Sequence, residues 1–397
     1  MNQIKSQACF GRSNNKSISA IFVCMLMVNL LPALLPFYAG GPISNYGSYL
    51  QVLTNINLVV NGVNLILATL GLLVHFRGSK KVIRVPFLTT LLMVFFLNVA
   101  FMSGGYTSGR FLVFRILLTF IFLFSVLDYY RLPEWVGKYV KWTLFLWAVI
   151  PILLFWVYPP LRNVFGSSYD GSFGGFSAHK NAYGVLVGIA VILILPRLNL
   201  YWLLGLFVLL YGVLLSQSRA TMLSIFAATT YYLAASKRQY FKKFFAVVLI
   251  VSVPQLITFV TEYGVREIFV DDARSAINQQ YIELISGNVL LGSGGNATIV
   301  DYKGGDMRAH NFLLQSWADY GMFFVLAYLI LLAVLWRRYS NISRALIIFM
   351  VIFGLFQPYM DPGGLGPVLM LCFLLITYYG PKRQLLPRSV GGVNDYE

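Results

Sequence analysis

Three basic residues stand where the sequence gives them chemistry to do. His310 lies in Arg308-Ala309-His310-Asn311, directly before a long apolar run. An imidazole with an ordinary pKa of about 6.5 is the natural general base near neutrality; a hydrogen-bonded structural histidine is the plainer reading. Arg219 sits in Ser216-Gln217-Ser218-Arg219, a polar break between two apolar runs. Its guanidinium is a planar fork of donors that matches phosphate oxygens and stays charged, although an arginine snorkelling from a helix end would look the same. Arg274 follows Asp271-Asp272-Ala273, which reads as a helix start. Lys180, in His179-Lys180-Asn181, adds a further cation.

Other chemistries lack their residues. No Gly-x-Ser-x-Gly elbow is present for a serine hydrolase, and no second histidine stands at zinc-ligand spacing from His310. Asp271-Asp272 could suggest a metal site, but no histidine stands nearby, so helix capping is its expected role and neither a metal nor a cofactor is expected. Gly287, Gly292, Gly294 and Gly295 match neither a P-loop nor a dinucleotide fingerprint. They read as a plain turn, with a backbone cradle for phosphate as the alternative. Cys9, Cys24 and Cys372 fall in the N-terminal tail or in apolar runs and form no evident framework.

The elements that must hold these residues are set by composition. The 397 residues are 58% hydrophobic and only 11% charged, against roughly 25% charged in a soluble domain. Folded in water, such a chain would expose an apolar surface. The expectation is an all-α polytopic membrane protein with about twelve spans. These fall near 18–39, 52–74, 85–101, 111–129, 142–158, 182–195, 201–215, 221–235, 244–260, 312–335, 345–356 and 367–379. Residues 1–260 then hold helices one to nine, 261–310 an outer loop of two short helices and a glycine turn, 311–380 the last three helices, and 381–397 a tail. In the loop, Ala276, Ile277, Tyr281, Leu284 and Ile285 recur near helical spacing, an amphipathic stripe suited to a membrane surface.

The net charge of +16 fits loop topology better than nucleic-acid binding, for which no module is present. Counted over alternate loops, 21 Lys and Arg fall in one set and eight in the other, with Arg115 inside a span. Basic loops stay cytoplasmic. Both termini are therefore expected inside, with Lys180, Arg219, Arg274, Arg308 and His310 outside.

Four segments in order resemble the bacterial O-antigen ligase and O-antigen polymerase family. His310-Asn311, nine residues and Gly321 resemble its His-(Asn/Ser/Gln)-x9-Gly pattern, and Lys180-Asn181-Ala182-Tyr183-Gly184 its Lys-Asn-(small)-x-Gly segment. Ser216-Gln217-Ser218-Arg219 resembles its Ser-x-Ser-Arg, and Arg274 with the later Gly292-Ser293-Gly294 its loop arginine and Gly-x-Gly turn. The likeness runs from about Phe176 to Gly321. Three residues beyond Gly321 the ligase pattern carries Gly, Thr or Tyr, whereas this chain has Phe324, so ligase and polymerase both stay open.

The resemblance implies a GT-C-like membrane glycosyltransferase of the bacterial inner membrane with a periplasmic site. Its donor would be an undecaprenyl-pyrophosphate-linked glycan, and its acceptor lipid A core (ligase) or a second lipid-linked glycan (polymerase). On that basis His310 is the base, Arg219, Arg274 and Lys180 hold pyrophosphate, and Asn311, Asn181, Arg308 and Arg115 give support. A flippase of lipid-linked oligosaccharide is the competing class. It would call for ionisable groups deep in the spans, where this chain has little beyond Arg115 and no acidic residue near a span centre.

Overall fold

The computed structural model describes residues 16–29, 46–76, 91–92, 95, 134–159, 173–177, 180–197, 199–236, 272–293, 300–302, 305–307, 309, 311–356 and 366–379. Apolar runs closed by polar caps fold here as helices: α1 (Lys16–Asn29), α2 (Tyr46–Phe76), α3 (Glu134–Val157), α4 (Lys180–Ile194), α5 (Leu200–Ser216), α6 (Arg219–Ala235), α7 (Asp272–Gly287), α8 (Phe312–Arg338), α9 (Asn341–Gly354) and α10 (Gly366–Tyr378). The described residues are thus predominantly helical. α3 and α8 are each long and apolar enough to cross a membrane, and α1, α4, α5, α9 and the second half of α2 are shorter apolar helices. The expected spans at 85–101, 111–129 and 244–260, with Arg115, lie outside the described residues except at 91, 92 and 95.

α4 is the hub. Every residue from Tyr183 to Ile194 is buried, as a helix apolar all round must be. It packs against α3, α5, α6, α9 and α10. Between apolar helices in lipid, association depends on close contact rather than on exclusion of water, and glycines make that contact here. A Cβ at Gly188 would overlap the Phe349 ring of α9, and one at Gly212 of α5 would lie 2.7 Å from both the Tyr183 hydroxyl and Ile152. The Tyr183 hydroxyl donates to the Ala148 carbonyl of α3 at 2.7 Å. α1 and α2 are joined by a buried reciprocal amide pair, Asn29 with Asn64, at 3.0 and 3.2 Å.

Hydrogen bonds sort the helix ends into two groups. Asn341 Nδ2, at the start of α9, donates to the Ala235 carbonyl at the end of α6 (3.3 Å). The Ser340 and Ser343 hydroxyls donate to the Tyr379 and Ile376 carbonyls at the end of α10 (2.7 and 3.0 Å). At this end Arg344 Nε donates to Trp336 O (2.7 Å), and Lys141 Nζ lies 3.9 Å from the Trp202 ring centroid. The start of α4 meets the α5–α6 junction at the other end, through Ser218 and Asn181. α8 leads into α9 within two residues and packs against it, so α8 begins at the end that carries Lys180 and Arg219.

Of the segment expected to form two short helices and a glycine turn, residues 261–271 lie outside the described residues. Its described part is one 16-residue helix, α7, followed by a turn and a two-stranded antiparallel hairpin, β1 (Val300–Tyr302) and β2 (Gly305–Met307). Tyr302 pairs with Gly305, leaving Lys303-Gly304 as a two-residue connection of the kind that favours a hairpin. The stripe on α7 is not a membrane-surface face. Ile277, Tyr281 and Ile285 are buried with Ala309 and Ala318, against Leu314 and Trp317 of α8. A helix covers this face, so it needs no bilayer.

Candidate functional site

Two of the singled-out segments meet at one end of the bundle. Asn181 is in the first turn of α4, and Ser218 caps α6 directly before Arg219. The Ser218 hydroxyl donates to Asn181 Oδ1 at 2.8 Å and lies 2.8 Å from the Thr221 hydroxyl. Gln217 holds φ of 52°, the left-handed conformation that turns the chain sharply between α5 and α6. The Ser216 hydroxyl donates to the Val213 carbonyl at 2.7 Å and accepts from the Ser218 N–H at 3.4 Å, tying down this turn. Backbone completes the junction: the Phe173 N–H donates to the Leu215 carbonyl at 3.1 Å. Ser216, Ser218 and Thr221 are buried, whereas Arg219 is exposed and Lys180 half-buried.

Ser218, Thr221 and Asn181 thus form a short polar network at the starts of α4 and α6. Lys180 and Arg219 stand at the two helix starts that the Ser218–Asn181 bond brings together. Both helix N-termini add partial positive charge.

Gly184 sets the spacing. A Cβ there would overlap the Thr221 hydroxyl and lie 3.2 Å from Ser218 Cβ. Elsewhere in a helix Gly→Ala adds about 1 kcal/mol of stability, and Gly62 in α2, with nothing within 4 Å, should behave so. At Gly184 the sign should reverse. Gly184→Ala is expected to cost about 1–3 kcal/mol as α4 and α6 are forced apart, while Gly62→Ala is neutral or stabilising. Thermal unfolding of the two variants in detergent checks this, and a Gly184→Ala midpoint at or above wild type would refute it.

The remaining segments form a second unit at the start of α8. Asn311 caps α8 by accepting from the Leu313 and Leu314 N–H groups at 2.9 and 3.1 Å. Asn311 thereby fixes the start of α8. At Gly321 α8 breaks, with φ 80° and ψ 171°. The turn after α7 docks at this break: the Met322 N–H donates to Val289 O (3.0 Å), the Ser293 N–H to Ala318 O (2.8 Å) and Trp317 Nε1 to Val289 O (2.9 Å). Gly292, with φ 74°, has its Cβ direction filled by backbone, 2.6 Å from Asp319 O and Gly321 N. Gly292 is thus a packing joint onto Gly321, whereas Gly287 ends α7 with nothing against it. Gly294 and Gly295 lie outside the described residues, as do His310 and Arg308. Arg274 stands in the first turn of α7.

α8 also carries a buried polar face that reading the run as a plain apolar span passes over. Gln315, Ser316 and Asp319 are all buried. Their spacing of i, i+1 and i+4 inside Phe312–Arg338 was the available signal, since polar residues on one helical face of an apolar run need partners. No family model matches the chain and no curated protein matches it.

Proposed function

We propose that the protein is a multi-pass membrane glycosyltransferase of the O-antigen ligase type, moving a glycan from undecaprenyl pyrophosphate to a hydroxyl of lipid A core without a metal. The observation that carries this reading is the bond between Ser218 and Asn181, which joins Lys180 and Arg219 into one cationic end of the bundle. Apolar side chains pointing outward support the membrane setting, among them Ile66 and Leu73 of α2, Leu153 and Trp156 of α3, and Leu204, Phe207 and Leu214 of α5. The loop charges then put both termini in the cytoplasm and the cationic end in the periplasm of a bacterial inner membrane, in a bundle of about twelve spans.

His310 takes the proton from the acceptor hydroxyl. The oxygen attacks the anomeric carbon from the face opposite the pyrophosphate, the bond to the leaving oxygen breaks, and its electron pair goes to the phosphate with inversion at carbon. That leaving group departs already charged, so fixed cations stabilise it in place of Mg²⁺. Arg219 and Arg274 supply forked hydrogen bonds, and Lys180 adds charge.

Polymerisation of lipid-linked repeat units is the second reading, favoured by Phe324 where the ligase pattern has a smaller or hydroxylated residue. Phe324 is 1% exposed, and its ring lies 5.0 Å from that of Tyr320, tilted by 59°, in the bundle core. Its identity therefore answers to packing as well as to acceptor choice. Incubating the purified protein with undecaprenyl-pyrophosphate glycan and either lipid A core or excess donor separates the two by which product lengthens. No product in either arm would refute both.

In the productive arm, Arg219→Lys and Arg274→Lys keep the charge and lose the fork. Each should lower turnover more than about tenfold, or ~1.4 kcal/mol in the barrier. Wild-type turnover in both variants would remove these arginines from the mechanism.

A further inference from the structure

Gln315 is in the first turn of α8, at the end of the bundle that carries Lys180 and Arg219, and is 4% exposed. Its Oε1 is buried and accepts no hydrogen bond. Helical geometry shows where it lies. Phe312 and Tyr320 belong to the bundle core, whereas Leu314, Trp317 and Ala318 pack on α7. At about 100° per residue, Gln315 projects roughly 60° from Ala318 on one side and roughly 60° from Phe312 on the other. It therefore lies at the seam between the face of α8 that packs on α7 and the face that joins the bundle core, on the turn that follows the Asn311 cap. α7 offers a similar group: Asn278 Oδ1 is buried without a partner, on the helix whose Ile277 and Tyr281 close that seam.

A buried carbonyl oxygen without a donor costs about 1–3 kcal/mol, and an apolar side chain of equal length would avoid that cost. Two such acceptors on helices that pack together ask for O–H or N–H donors. Phosphate is the wrong complement, because at neutral pH it presents acceptors to acceptors. A sugar supplies hydroxyls and is uncharged.

We propose that the seam between α7 and α8 is a glycan crevice, in which the buried carbonyl oxygen of Gln315 accepts a hydrogen bond from a sugar hydroxyl. This rests on the transferase reading for its ligand class and deepens it: the arginines take the pyrophosphate, and the crevice takes neutral sugar. The sugar can belong to either substrate, and the experiment separates the sources.

The test uses the full chain in detergent, wild type against Gln315→Met and Gln315→Asn, with two probes. One is lipid-free core oligosaccharide released from lipopolysaccharide by mild acid; the other is undecaprenyl-pyrophosphate glycan. Met matches the length of Gln and has no acceptor, so Gln315→Met should unfold at or above the wild-type temperature while binding one probe at least tenfold more weakly. Gln315→Asn, with its carbonyl set back by one carbon, should fall between. Loss for the core oligosaccharide assigns the crevice to the acceptor, and loss for the lipid-linked glycan assigns it to the donor. Unchanged affinity of Gln315→Met for both probes would overturn the proposal, as expected if the carbonyl holds only an ordered water. So would a wild-type protein that binds neither. Binding that depends on Gln315 without any transfer would leave this site standing and refute the transferase reading, so the two fail separately.

Discussion

His310→Ala is expected to lower glycosyl transfer by roughly 10² to 10⁴-fold, the usual contribution of a positioned acid or base, while donor affinity stays at the wild-type value. The split follows from the division of labour proposed for the site. Pyrophosphate is held by cations at the helix starts, and the imidazole acts only on the proton of the incoming hydroxyl. Folding should survive, because α8 is capped by Asn311, which accepts from two backbone N–H groups whatever stands before it. Donor titration, single-turnover rates and a thermal unfolding control on the same preparation measure all three quantities. A variant with near-full turnover would eliminate His310 as the base. A variant that lost donor binding in proportion would make it part of the pyrophosphate site instead.

Gly321→Ala is expected to cost more than about 3 kcal/mol and to abolish transfer. Two terms add. At φ 80° and ψ 171° the backbone occupies a region open essentially to glycine alone, and an L side chain there costs about 1–3 kcal/mol. The new Cβ would also overlap the Leu290 carbonyl and lie 2.6 Å from the Leu291 carbonyl carbon. The turn cannot retreat without breaking the bonds that pair Val289 with Met322 and Ser293 with Ala318. Gly287→Ala is the control: it ends α7 with nothing within 4 Å of its Cβ direction, and there alanine's helix propensity makes the change neutral or mildly stabilising. The comparison is the unfolding midpoint of the two variants in detergent. Equal midpoints would show that the break in α8 is not what seats the α7 turn.

Most of the helices were legible in the sequence for a simple reason. A long apolar run with a polar break at each end has few ways to satisfy its backbone other than a helix, so α3, α5, α6, α8, α9 and α10 match their expected spans to within a few residues, apart from the start of α3. The Ser216-Gln217-Ser218-Arg219 break was legible too, since four polar residues in an apolar stretch announce a turn. The hairpin after α7 was not. Its strands are three residues each, too short for alternation to be told from irregular chain.

The roles of α7 and of the glycines depended on tertiary structure. By spacing alone, Ile277, Tyr281 and Ile285 make an apolar stripe, and a stripe states that something covers it without stating what. Only the fold shows that α8 does the covering and that a lipid surface is not required. Gly184, Gly292 and Gly321 are likewise three identical residues in the sequence. One lets two helices close on a hydroxyl network, and the other two let one backbone lie against another. The sequence by itself determined the helical runs, because these follow from local composition and periodicity. The tertiary structure decided that Asn181 meets Ser218 across 37 residues of chain, and that the turn after α7 seats on a broken helix. It also decided that Gln315 is buried with a bare acceptor. Each is a contact between segments distant in the chain, and local sequence carries no term for what lies on the other side of a contact.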